Sequence, residues 1–150
     1  MERVKDIAIY VLSKRHISHT HDAVMFDIDD TLWKPSSNES IPEMLDLLHK
    51  CRILGYNIVI ITARPNFKNN VNWTLDQIHG MGIVPDDIFF TPPELKTRLK
   101  QGLHYNFVLS VGDQHTDLGG SEFWIKLPDE MNPNYIQTNL ALPPITATRI

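Results

Sequence analysis

The sequence predicts a doubly wound α/β domain, a Rossmann-like three-layer sandwich built on a five-stranded parallel sheet. Five apolar runs of strand length occur, at 23–28, 57–61, 87–91, 106–111 and 122–127, and four of them are nearly continuous rather than alternating. Continuous runs rich in Val, Ile and Phe suit strands covered on both faces. Helix-like stretches lie between these runs, and strand alternating with helix is the pattern of a parallel sheet wound on both sides. The chain's 150 residues are enough for one such domain and its core, 1–150, with little left over.

Taken in order, residues 1–15 read as a helix packed on the outside, part of an N-terminal arm spanning 1–22. The apolar stretch from Ile7 to Leu12 is too short to span a membrane, and no targeting pattern is visible. Ser40 with Glu43 forms a capping-box pattern and Pro42 sits in the first turn. Leu45, Leu48 and Leu54 then repeat at helical spacing before Gly55. A second helix is expected from about Phe67 to His79, with Val71, Leu75 and Ile78 on one face and Gly80 or Gly82 ending it. Its stretch 69–73 reads as surface plus one core anchor, Trp73. A third helix follows Pro92 and Pro93, from Glu94 to about Gln101, and stops at Gly102. From 132 to 150 the chain reads as an extended tail, with Pro133, Pro143 and Pro144 and little periodicity.

Composition excludes several classes. Apolar residues make up 42% and charged residues 21%, ordinary values for a soluble globular protein. A net charge of -4 gives no electrostatic grip on nucleic acid or on an anionic membrane. The single cysteine, Cys51, allows no internal disulfide and suits a reducing compartment, with packing in a helix as its role. A cytoplasmic protein is the expectation.

The chemistry is expected where three strands end. In a sheet of this kind ligands bind at the carboxyl ends of the strands, near the switch point in strand order. The first run ends in Asp27-Ile28-Asp29-Asp30-Thr31, the second in Thr62-Ala63-Arg64, and the fourth in Gly112-Asp113-Gln114-His115-Thr116-Asp117. Carboxylates gathered at one edge repel each other unless a cation neutralises them. A few oxygen ligands that leave room for water and phosphate suit Mg²⁺. Asp27 and Asp29 lie two apart as the strand runs out, so both can lean toward one ligand. One carboxylate can attack a phosphoryl group while the other gives a proton to the leaving oxygen and later takes one from water. Thr62 can hydrogen-bond a phosphoryl oxygen, and a lysine can supply positive charge.

These residues resemble the haloacid dehalogenase superfamily of phosphohydrolases. Its first motif, an apolar strand and Asp-x-Asp-x-Thr, is matched by Val24-Met25-Phe26-Asp27-Ile28-Asp29-Asp30-Thr31-Leu32. Its second, a strand ending in Ser or Thr, is matched by Ile58 through Thr62, and its fourth, Gly-Asp-x-x-x-Asp, by Gly112 through Asp117. The resemblance covers about 23–136. A narrower likeness is to the class B-type acid phosphatases and plant vegetative storage proteins. It rests on Thr62-Ala63-Arg64-Pro65, on Gly112-Asp113-Gln114 through Leu118, and on Lys126-Leu127-Pro128.

The resemblance implies a sheet ordered 5-4-1-2-3 and a phosphomonoester hydrolase passing through an aspartyl-phosphate. Asp27 would be the nucleophile and Asp29 the general acid and then base. Thr62 and Lys96 would hold the phosphoryl oxygens, and Thr62, Ala63, Arg64 and Lys96 would face the substrate. Mg²⁺ would be held by Asp27, the backbone carbonyl of Asp29 and Asp113, with Asp117 in support. Lys96 and Lys100 both qualify as the motif lysine; Lys96, followed by Thr97, echoes the Lys-Ser of relatives. Relatives often carry a cap domain, but 32–40 is too short for one, so the site is expected to be open.

Other residues carry weaker signals. Trp33 covers core or walls an aromatic leaving group. His16, His19 and His21 read as solvated rather than as metal ligands, and His115 lies inside the fourth motif. The substrate class stays open between a phosphorylated small molecule and a macromolecule such as a protein or a nucleic-acid end. A non-catalytic storage or phosphate-binding protein is the alternative of another class.

Overall fold

The computed structural model describes residues 1–131 and 133–141. Helix α1 (Glu2–Ser13) leads into β1 (Asp22–Phe26), which is buried at every position. A tight turn follows, then a hairpin of β2 (Trp33–Lys34) and β3 (Glu39–Ser40), and helix α2 (Pro42–Leu54). Strand β4 (Asn57–Thr62), helix α3 (Lys68–Gly80) and strand β5 (Asp87–Phe90) come next. A 3-10 turn at Pro93–Leu95 runs into helix α4 (Lys96–Gly102), followed by β6 (Asn106–Gly112), β7 (Phe123–Lys126) and β8 (Gln137–Thr138).

The main sheet has six strands in the order β5-β4-β1-β6-β7-β8. All neighbours run parallel except β7 and β8, which are antiparallel. The five expected strands are neighbours as β7-β6-β1-β4-β5, and the expectation of a five-stranded, all-parallel sheet is corrected: the sheet extends by a sixth strand of opposite direction. That strand lies within the segment expected to be an extended tail. It is two residues long and is fixed by side-chain bonds rather than by apolar periodicity. The Thr138 hydroxyl donates to the Trp124 carbonyl at 2.6 Å, and the Asn139 amide accepts from the Trp124 N–H and donates to the Glu122 carbonyl. The expectation for Pro143 and Pro144 lies outside the described residues.

Two apolar layers cover the sheet because alternate strand residues point to opposite faces. Val24, Phe26, Ile58 and Ile60 pack with Leu12, Leu48 and Ile78 on one face. Ala23, Met25, Val59 and Ile61 pack with Phe107, Leu99 and Leu103 on the other. Helix α1, expected outside the core, joins the first layer: Val4, Ala8 and Leu12 are buried, and the Tyr56 hydroxyl donates to the Leu12 carbonyl at 2.8 Å. Cys51 lies in the same layer, and burial pushes its thiol up to about 12.

Helix boundaries differ in detail from the sequence patterns. Ser40 pairs with Trp33 in the hairpin, so the N-cap of α2 is Ile41 with no side-chain cap; the capping box does not form. Pro42 still opens α2, and Gly55 ends it at φ 109°, a left-handed conformation that disfavours a Cβ. In α3 the expected anchor Trp73 is 55% exposed, and the buried positions are Thr74 and Ile78. Among the described residues no helix is long and apolar enough to cross a membrane.

Candidate active site

Strand β1 lies at the centre of the sheet, between β4 and β6, so the chain leaving it meets the carboxyl ends of both neighbours. Phe26 is in register with Ile60 and with Val111, and the Asp27 amide donates to the Val111 carbonyl at 3.0 Å. The backbone then turns sharply. The amides of Thr31, Leu32 and Trp33 converge on the Ile28 carbonyl, and Asp30 takes φ 60°, a left-handed value that Asp tolerates better than most residues. This turn separates the two acidic side chains. Asp27 is 7% exposed and Asp29 half-buried.

Asp27, Asp113 and Asp117 form a buried triad whose nearest carboxylate oxygens all lie within 4.8 Å of one another. Burial first, and then the charge of Asp117, pushes the Asp27 carboxyl well above the usual range, against the pull of Lys96. Burial likewise raises Asp113, although the Gln114 side-chain amide donates to it at 3.1 Å. Crowded carboxylates of this kind favour a hard divalent cation, whose charge relieves both burdens. The triad, whose donors are all oxygen, could hold a metal ion. The side chain of Asp29 is not in this triad; the contribution expected of it was its backbone carbonyl.

Lys96 closes the triad from α4. Its ammonium donates to Asp27 Oδ1 at 3.0 Å and to Asp117 Oδ1 at 2.6 Å, with the residue 2% exposed. Burial works against that charge, but Asp27 and Asp117 outweigh it and hold the lysine above its ordinary value. Lys100, the rival lysine, lies one helical turn further along α4 and is equally buried. It donates to Ser110 Oγ and to the Asp117 backbone carbonyl, and burial lowers it to about 8. Of the two, Lys96 touches Asp27.

Asp117 has little freedom of its own. One oxygen accepts from Lys96, and the other accepts from the Gln114 amide at 3.1 Å in the 3-10 turn His115–Asp117. A Cβ on Gly112 would overlap the Asp117 carboxylate. Gly112→Ala is therefore expected to push Asp117 and Lys96 out of place and to lower stability by about 1–3 kcal/mol through overpacking. A urea midpoint equal to that of the wild type would contradict it.

Thr62, buried at the end of β4, accepts from the Arg64 amide at 3.2 Å, leaving its hydroxyl proton to donate elsewhere. A cavity of about 360 Å³ opens between Asp27, Asp29, Thr62, Arg64, Asp113 and Gln114, and the exposed Ala63 lies on its wall. Arg64 turns toward Asp29: its Nε donates to one Asp29 oxygen at 2.9 Å and its Nη2 to the other at 2.7 Å. Beyond this pair, Trp33 and Trp73 line an adjoining cleft of about 340 Å³. The hairpin of β2 and β3 occupies 33–40.

The other candidates lie apart. His16, His19 and His21 are exposed and precede β1, at the amino end of that strand and so opposite the triad; His19 contacts the Gly55 carbonyl and His21 contacts Thr20. His115 is exposed in the 3-10 turn. Sequence reasoning missed Thr74 and Ser110, and it gave Gln114 no role beyond its place in the fourth motif. Only Thr74 left a signal, a polar residue one helical turn before Ile78 on the apolar face of α3. In comparisons with known proteins, no family model matches the chain, and no curated protein matches it.

Proposed function

We propose that the chain is a Mg²⁺-dependent phosphomonoester hydrolase that works through an aspartyl-phosphate intermediate. The observation that carries this reading is the contact of the buried Lys96 ammonium with Asp27 inside a nest of three carboxylates at the carboxyl ends of parallel strands. A lysine placed there supplies positive charge both to the nucleophile and to the phosphoryl oxygens that approach it. Asp27 attacks phosphorus and the ester P–O bond breaks, with Asp29 giving its proton to the leaving oxygen. Water then attacks the phosphorus of the acyl phosphate, Asp29 takes a proton from it, and Asp27 and phosphate are released. Thr62 donates to a phosphoryl oxygen. Mg²⁺ would be held by Asp27, the Asp29 carbonyl and Asp113 with Asp117 in support, and it would neutralise charge on the transferring group.

Substrate size stays within the proposal. A cleft of about 700 Å³ adjoins Asp113 and Gln114 and is walled by Lys34, Asp129 and Glu130, leaving room for a leaving group larger than a small metabolite. A protein or nucleic-acid end is the larger alternative, and a cytoplasmic setting belongs to the same reading.

The test is hydrolysis of a chromogenic phosphate ester. Turnover is expected with Mg²⁺ and is expected to vanish with excess chelator, with Zn²⁺ a poor replacement because the donors are all oxygen. Full activity in chelator would remove the metal from the reaction. Phosphate binding without turnover would favour the storage or phosphate-binding alternative.

A further inference from the structure

We propose that Arg64 is a positioning residue through which helix α3 sets the carboxylate of Asp29, and not a ligand of the substrate. Three of its groups are committed within the protein. Nε and Nη2 grip both oxygens of Asp29 in a two-bond fork, and Nη1 donates to Thr74 Oγ1 at 3.2 Å. The guanidinium carbon lies 5.1 Å from the centre of the Trp73 ring, so one face of the group rests on an aromatic surface. Thr74 itself is fully buried, and α3 thus offers a fixed acceptor and a fixed wall side by side. The Arg64 backbone is tied as well, through its amide bond to Thr62.

A planar fork held at three points fixes both the position and the plane of the carboxylate it binds. Its charge is already met by Asp29, which leaves it a weak partner for a second anion. For Asp29 the consequence is orientation. The side chain is half-buried and carries no other side-chain bond among those described, so its alignment toward the cavity rests on Arg64. This catalytic consequence rests on the hydrolase reading above, in which Asp29 moves the protons; the clamp itself does not.

Two measurements separate these layers. The first needs no turnover: the Nε–H of Arg64 in ¹⁵N-labelled protein is expected to be protected from exchange. It is expected to lose protection in Asp29→Asn and to exchange faster in Thr74→Val. An unprotected signal in the wild type would overturn the clamp. The second is steady-state kinetics with p-nitrophenyl phosphate and Mg²⁺. Arg64→Ala is expected to lower kcat by about 30-fold or more, as for a displaced proton-transfer group, with KM changed less than about threefold. Arg64→Lys, which cannot form the fork, is not expected to rescue it. Thr74→Val is expected to lower kcat modestly, by about threefold, and to have no further effect in the Arg64→Ala background. A rise in KM of about tenfold with kcat retained would make Arg64 a substrate ligand and overturn the inference. A wild-type protein that hydrolyses no phosphate ester would sink the hydrolase reading, and the exchange measurement would still decide the clamp.

Discussion

Asp27→Asn is expected to abolish turnover while leaving the fold intact. An amide cannot form the acyl phosphate, so the loss is that of the chemical step itself, about 10⁴-fold or more in kcat. The structure adds a second expectation. Asp27 is crowded by Asp113 and Asp117, and burial raises its carboxyl well above the usual range, so removing its charge relieves repulsion in the triad. Lys96 keeps Asp117 as a partner at 2.6 Å. Thermal unfolding of the variant in the absence of added metal is thus expected at or above the wild-type temperature. A hydroxylamine-sensitive phosphoryl label on the wild type, absent from the variant, would complete the case. Wild-type turnover in Asp27→Asn would end it.

The second large effect separates the two lysines. Lys96→Ala is expected to lower kcat by about 10²–10³-fold, the scale of removing one preorganised charge from a transferring group. It also leaves two buried carboxylates, Asp27 and Asp117, without their cation, so unfolding is expected at lower denaturant in metal-free buffer. Lys100→Ala removes donors to Ser110 and to the Asp117 carbonyl but nothing that reaches Asp27. Its cost is expected in stability, about 1–3 kcal/mol for the partners left unmet, with kcat per folded molecule within about tenfold. Lys100 is buried, so its expected penalty falls on the fold. A larger kcat loss in Lys100→Ala than in Lys96→Ala would reassign the phosphoryl-binding lysine.

What the sequence made legible was whatever depends on long apolar runs and on the residues that end them. β1, β4 and β6 fill both faces with Val, Ile, Phe and Met, and that pattern admits few alternatives to a buried parallel strand. Asp27, Asp113 and Asp117 were placed because a strand end fixes where its next residues go. β8 escaped because two residues held by Thr138 and Asn139 leave no periodicity to read. The Ser40 cap failed because Ser40 pairs with Trp33 in the hairpin and the N-cap of α2 is Ile41. The resemblance implied that Arg64 faces substrate; its bonds to Asp29 and Thr74 were not legible, because a motif carries no information about residues nine and ten along on another element. Trp73 shows the limit of hydrophobicity as a guide: its ring serves an arginine at the surface rather than the core.

The order of strands also determines when this site can exist during folding. β1 sits between partners far apart in the chain: Asn106 bonds to Asp22 across 84 residues, and Lys96 reaches Asp27 across 69. Each of those contacts closes a long loop, whose entropic cost comes before any contact repays it. Asp27, Lys96, Asp113 and Asp117 therefore come together only once β6 has docked beside β1. Assembly of the triad is accordingly a late event, a reporter of completed topology rather than of early helix formation.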